Sequence, residues 1–201
     1  MPDALDDVIW ELEDPDEVLR RPAIAALPAD RLAAAFRQAE CVRLERAVAH
    51  RARALTTRDA RRFVSECVAQ VLPQWSARYP DDDRPQRALQ VARRLCAEGA
   101  ETISDEHRTA VERAAVAAGD AAYEDCFPAE GPLRCPPGVS FSAIAHAAAY
   151  ACREPLRPET VARYVALADD AMRRPRLEWQ LAWLEAFAGE VTTTEPSKPP
   201  R

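Results

Sequence analysis

One stretch of this chain, from Phe63 to Trp75, repeats its apolar residues with the period of an α-helix. The repeat predicts a broad buried face, formed by Phe63, Val64, Cys67, Val68, Val71, Leu72 and Trp75. The rest of the chain favours helix too, because alanine is its most frequent residue, glycine occurs only 5 times and β-branched residues are scattered. We therefore predict an all-α fold.

The periodic segments predict a helical bundle of about seven to nine helices. We expect one domain over residues 1–189, with N-terminal helices in 1–55, further helices in 56–125, C-terminal helices in 139–189 and a disordered tail in 190–201. Thr57 and Ser104 are predicted to cap two of these helices, and Pro73 is expected to kink the first. The last three helices are predicted at Ser140–Arg153, Pro158–Arg173 and Leu177–Gly189.

The charge of the chain limits the classes of partner. The net charge is −6, and the acidic residues are concentrated near the N-terminus, among them Asp6, Asp7, Glu11 and Glu13. This cluster disfavours nucleic acid and suits a basic protein, although a solvated helix surface would look the same. We also expect a cytoplasmic protein, because the N-terminus lacks the features of a secretory signal and no apolar run approaches the ~20 residues of a membrane span.

The six cysteines are scattered through apolar helical patterns, so we expect reduced thiols in the core. Cys126, Cys135, His146 and Cys152 are the residues from which a zinc site could be built. His146 and Cys152, however, are six residues apart on one predicted helix and point in different directions around its axis. We therefore expect no metal, and we interpret His146 as a hydrogen-bonded helix residue.

The stretch Asp81-Asp82-Asp83-Arg84-Pro85 has two interpretations, a helix start or a site. Asp83 suits the N-cap position and Pro85 the first turn of the helix that follows. Arg84 falls on the buried face of that helix, so it requires a carboxylate partner, which Asp82 or Glu66 could provide. The alternative is a catalytic or cation site at the three aspartates, but they lack the staggered spacing and the glycine of a calcium loop. We predict a structural corner.

The last predicted helix has two apolar faces. Leu177, Leu181, Leu184 and Ala188 cluster on one face, and Trp179, Trp183 and Phe187 lie on another. The helix is therefore either packed between two neighbours, or it leaves its aromatic face free to contact a partner or a second copy of this chain.

Residues 57–100 resemble the all-helical immunity proteins that are encoded beside polymorphic toxins in bacteria. The resemblance rests on a helix that ends in a leucine-proline pair, then aspartates with Arg-Pro, then an amphipathic helix closed by glycine. The matching positions are Cys67, Ala69, Leu72-Pro73, Asp81 to Asp83, Arg84-Pro85, Ala88 and Gly99.

The resemblance implies an all-helical protein that binds and neutralises a cognate toxin without catalysis and without a cofactor. An acidic immunity protein would suit a basic toxin. The candidate surfaces are the acidic N-terminal residues and the aromatic face of the last helix. A helical adaptor is the alternative, because residues 14–27 look like one unit of a HEAT-type repeat. An enzyme is a weaker alternative, since we find no phosphate-binding loop and no nucleophile-base pair.

Overall fold

The computed structural model describes residues 28–99, 102–128, 135–136 and 138–193, with side chains up to Phe187. Seven α-helices lie in these ranges: α1 (Ala29–Arg53), α2 (Thr57–Arg78), α3 (Arg84–Glu98), α4 (Asp105–Cys126), α5 (Phe141–Ala151), α6 (Pro158–Leu167) and α7 (Arg173–Thr193). The described residues contain no β-strand, only an isolated bridge between Val139 and Asp169. The prediction of an all-α fold is confirmed.

The chain divides into two compact units, and the boundary between Ala47 and Val48 falls inside α1. In the first unit, the described residues form the N-terminal part of that helix. The second unit contains the end of α1 and every later helix, and the sites below all lie within it.

Helix α2 is the helix predicted from the apolar repeat, and the whole repeat is buried. Thr56, and not Thr57 as predicted, is its N-cap: the Thr56 hydroxyl accepts a hydrogen bond from the N–H of Asp59. Thr56 can do so because its backbone is still extended, whereas Thr57 is already helical. The helix runs through Pro73 to Arg78 as one element. Ser104 caps α4 as predicted, by accepting from the N–H of His107.

The alanine-rich helix α5 is the centre of the second unit, and it contacts α2, α3, α4 and α6. Small side chains allow these helices to approach closely on all sides of α5. As a result every residue of α5 is buried except Ser142, His146 and Tyr150. These three residues are spaced four apart, so they form one polar stripe along an otherwise apolar helix.

The ends of the last helices differ from the predictions. Helix α5 stops at Ala151, α6 stops at Leu167, and a 3₁₀ turn at Asp170–Met172 precedes α7, which begins at Arg173 and continues to Thr193. The break after α6 arises because the Asp169 carboxylate accepts from the N–H of Ala171, and the N–H of Asp170 donates to the carbonyl of Gly138 at 2.8 Å. These two hydrogen bonds, the second of which reaches the segment before α5, end α6 where periodicity had predicted a helix up to Arg173.

The expectation of six reduced core thiols is wrong. Cys126 and Cys135 form a disulfide, which closes a short loop after α4. The thiols of Cys41, Cys67 and Cys152 are buried, and that of Cys96 is half-buried; none of the four is in a disulfide. Burial raises the pKa of Cys152 to about 12, so its thiol stays protonated.

No helix among the described ranges is long and apolar enough to cross a membrane.

Candidate functional site

The corner between α2 and α3 is built around an Arg84–Asp82 ion pair. The guanidinium donates through Nε at 2.8 Å and through Nη2 at 2.6 Å, and the backbone N–H of Arg84 also donates to Oδ1 of Asp82 at 3.1 Å. Both side chains are half-buried. These hydrogen bonds hold the pKa of Asp82 below its usual value and raise the pKa of Arg84. The predicted half-buried Arg84–carboxylate pair is confirmed, with Asp82 as the carboxylate.

Two details of the corner differ from the prediction. Asp83 occupies the N-cap position, but its side chain makes no capping hydrogen bond and instead pairs with Arg87 one turn later at 2.6 Å. Glu66 is exposed and takes no part. The connection between the two helices is made by Trp75 of α2, whose buried indole N–H donates to the carbonyl of Asp82 at 2.8 Å. Pro85 is buried in the first turn of α3, as predicted.

An open groove of about 560 Å³ lies over this corner. Its three arginines are each paired with a carboxylate: Arg84 with Asp82, Arg87 with Asp83, and Arg78 with Asp125 of α4 at 2.9 Å. Two of the three adjacent aspartates are therefore already held by arginines. The arrangement supports a structural corner, because the paired carboxylates are not available to a substrate or a cation.

The predicted aromatic face of α7 forms a patch on the second unit. Trp179, Trp183 and Phe187 are all half-buried, and we call these three residues the aromatic patch. The Trp183 and Phe187 rings are stacked with centroids 5.4 Å apart and planes 4° from parallel. On its inner side Trp183 packs against the fully buried Phe63 of α2, at 5.2 Å. The guanidinium of Arg62 lies 6.0 Å from the Trp183 ring.

A groove of about 710 Å³ adjoins the aromatic patch at Phe187. Its apolar lining includes Ala54 and Leu55 from the turn between α1 and α2, and Leu184 from α7. Arg51 and Glu185, which are paired at 2.6 Å, form part of its charged lining. Helix α7 is thus packed on its leucine side, where Leu177 and Leu184 are buried, and remains partly open on its aromatic side. Packing against neighbours is confirmed for the leucine side, and contact of the aromatic side with a partner stays a prediction.

The polar stripe of α5 brings together groups that the sequence analysis did not connect. The Ser142 hydroxyl lies 3.2 Å from Nδ1 of His146, so the predicted hydrogen bond of this histidine is confirmed. On the other side of the ring, Nε2 lies 3.5 Å from the Asp120 carboxylate of α4. The Tyr164 ring of α6 is 5.7 Å from the imidazole. The Ser-His spacing of four residues was a visible signal, but Asp120 could only be placed by the packing of α4 on α5.

Glycine at position 119 allows this histidine to lie where it does. A Cβ atom added to Gly119 would come within 3.1 Å of Cε1 and 3.2 Å of Nε2 of His146. These separations are shorter than ordinary van der Waals contacts, so the imidazole rests directly on the backbone of α4.

Several sequence-predicted residues lie outside the described residues: Asp6, Asp7, Glu11 and Glu13, together with the HEAT-like segment 14–27. In the part of the chain that is described, no three His, Cys, Asp or Glu side chains meet as metal ligands.

No known protein family, curated protein or solved structure matches this chain.

Proposed function

We propose that this protein binds a partner protein through the aromatic patch and its adjoining groove, and that the partner is a bacterial toxin neutralised by this contact. The observation that carries the proposal is the stacked, half-buried Trp183–Phe187 pair beside an apolar groove. Aromatic side chains of this kind dominate the binding energy of protein interfaces.

The patch is pre-ordered on the side that faces the core. Because Trp183 rests on buried Phe63 and stacks on Phe187, its ring would lose little conformational freedom when a partner covers it. The groove beside it can receive an apolar side chain of the partner, and the Arg51–Glu185 pair offers polar contacts around it.

The nature of the partner is inferred from two properties of the sequence. Residues 57–100 resemble immunity proteins of toxin systems, and the net charge of −6 suits a basic partner. Charge steers association over longer distances, while the apolar patch would provide the contact that keeps the complex together.

The test is to purify the product of the adjacent gene and to measure its affinity for the full chain by calorimetry. Phe187→Ala should weaken binding by about 30-fold, which corresponds to the loss of roughly 2 kcal/mol at an interface anchor. Tyr123→Ala is the matched control, because Tyr123 is an exposed aromatic residue on α4 outside the patch. The control should leave the affinity unchanged.

Three results would contradict parts of the proposal. Equal affinities for Phe187→Ala and the parent would remove the patch from the interface. Normal capture after charge reversal at Asp6, Asp7, Glu11 and Glu13 would rule out the acidic residues as a binding surface. If the protein elutes at twice its mass, and Phe187→Ala elutes at the single mass, the patch joins two copies of this chain.

A further inference from the structure

The polar stripe of α5 places a serine beside a histidine, and an aspartate of α4 lies on the far side of that histidine. Partner binding does not account for this arrangement. Ser142 and His146 are the first two residues of the stripe, and they face each other at 3.2 Å. Asp120 approaches the far side of the imidazole at 3.5 Å. A hydroxyl, a base and a group that orients the base are the three elements of an activated nucleophile.

The positions of the two partners determine where the imidazole proton resides. An ionised carboxylate can only accept a hydrogen bond, so Asp120 favours the tautomer that carries its proton on Nε2. The lone pair of Nδ1 then faces the Ser142 hydroxyl and can accept its proton. The packing of the ring on Gly119 leaves it little room to turn away from this orientation.

Ser142 also lies where backbone donors are available. It is the second residue of α5, in the first turn, where N–H groups have no acceptor within the helix. Ser140 takes up the N–H groups of Ala143 and Ile144 through its hydroxyl and its carbonyl. Among the described residues, the N–H groups of Phe141 and Ser142 have no acceptor. The N–H of Ser142 itself can therefore donate to an oxyanion that forms on a carbonyl attached to its own hydroxyl.

We propose that Ser142 is an acylatable nucleophile for carboxylic esters, with His146 as its general base and Asp120 as a positioning residue. Oγ of Ser142 attacks the ester carbonyl and forms a new O–C bond, while its proton passes to Nδ1 of His146. The alcohol leaves with that proton as its C–O bond breaks. Water then adds to the acyl-serine by the same route and releases the carboxylic acid, which restores the hydroxyl.

The stripe also favours a particular class of ester. The rings of Tyr150 and Tyr164 lie 5.3 Å apart, and Tyr164 lies 5.7 Å from His146. The Tyr164 ring lies beside the His146 imidazole, so an aryl group of the ester can pack against it. We therefore expect aryl esters as substrates.

Two probes test the proposal on the full chain: a fluorophosphonate with an alkyl group, followed by peptide mass spectrometry, and p-nitrophenyl acetate turnover. The fluorophosphonate should modify Ser142, and both labelling and turnover should fall at least about 100-fold in Ser142→Ala and in His146→Gln. Ser76→Ala is the matched control, because Ser76 is an exposed helical serine that faces no histidine. Its labelling and turnover should equal those of the parent.

The role of Asp120 is tested separately. Asp120→Asn should lower kcat for p-nitrophenyl acetate about 10-fold or more with KM unchanged, and Asp120→Glu should restore part of the loss. The melting temperature of each variant shows whether it is folded. Labelling of another residue, or turnover that persists in folded Ser142→Ala, would overturn the assignment of Ser142. The result is independent of toxin binding, since Phe187→Ala should leave esterolysis unchanged.

Discussion

Replacing Gly119 with alanine tests the contact between α4 and the His146 imidazole. In an exposed helix interior, this substitution stabilises a protein by roughly 1 kcal/mol, because glycine has the greater conformational freedom when unfolded. At position 119 the new Cβ would lie 3.1 to 3.3 Å from three ring atoms of His146. The ring must therefore move, or α4 must shift away from α5.

The expected size of the effect follows from these opposing terms. Overpacking of this kind costs about 1–3 kcal/mol, and displacement of the ring breaks its hydrogen bond with Ser142, which contributes about 1 kcal/mol. Against the helix-propensity gain, Gly119→Ala should lower the free energy of unfolding by about 1–3 kcal/mol. In a His146→Ala background the obstacle is gone, and the same substitution should raise it by about 1 kcal/mol. The coupling energy between the two sites is then roughly 2–4 kcal/mol.

The assay is urea denaturation of the four proteins in this cycle, followed by circular dichroism. The control is Ala110→Gly, at an exposed position of the same helix, which should cost about 1 kcal/mol with or without His146. If Gly119→Ala stabilises both backgrounds equally, His146 does not rest on the backbone of α4, and the orientation proposed for its imidazole loses its support.

Three further predictions concern the corner and the buried Arg61 guanidinium. Arg84→Ala should lower the free energy of unfolding by about 1–2 kcal/mol in thermal melts, and an unchanged Tm would show that the corner is not structural. The pKa of Asp82 is lower in the folded protein than in the unfolded chain, so its ion pair with Arg84 stabilises the fold fully above the unfolded pKa. This stabilisation is lost as the pH falls through the folded-state pKa. The loss of stability caused by Arg84→Ala should therefore become smaller in acid. Trp75→Phe should lower the free energy of unfolding by at least about 1 kcal/mol in the same melts, because the Asp82 carbonyl loses its hydrogen-bond donor. Equal stability of this variant and the parent would show that this hydrogen bond does not hold α2 and α3 together. The buried Arg61 of α2 pairs with Glu154, which follows α5. Glu154→Gln should destabilise more than Arg61→Met in urea titrations, because it leaves the Arg61 guanidinium buried without its carboxylate, and the reverse order would refute that reasoning.

Local pattern was enough to predict much of the corner. The apolar repeat of α2, the positions of Asp83 and Pro85 at the start of α3, and the need of Arg84 for a carboxylate partner all follow from local pattern. Periodicity could not choose between Asp82 and Glu66, because both carboxylates were within reach of a long side chain. The choice depends on the turn that brings Asp82 back onto Arg84, and Trp75 holds that turn by its carbonyl.

The aromatic patch was predicted as a face and as a candidate contact surface, but its packing and its groove were not predicted. The helical wheel separates Trp183 from the leucine side of α7, yet only packing shows that Trp183 rests on Phe63 and that a groove opens beside Phe187. The disulfide between Cys126 and Cys135 was missed for a similar reason. Scattered cysteines are typical of core thiols, and the path of the chain after α4 decides which two meet.

The sequence by itself determined that the chain is helical and which residues of each helix are apolar, because both properties depend on neighbours within a few residues. Only the tertiary structure decided which polar groups face each other. Ser142 and His146 share a helix and could be paired from their spacing, but Asp120 joins them because alanines on α5 and Gly119 on α4 allow two helices to approach closely. Contacts between distant parts of a chain depend on side-chain volume and packing, which a one-dimensional pattern does not record.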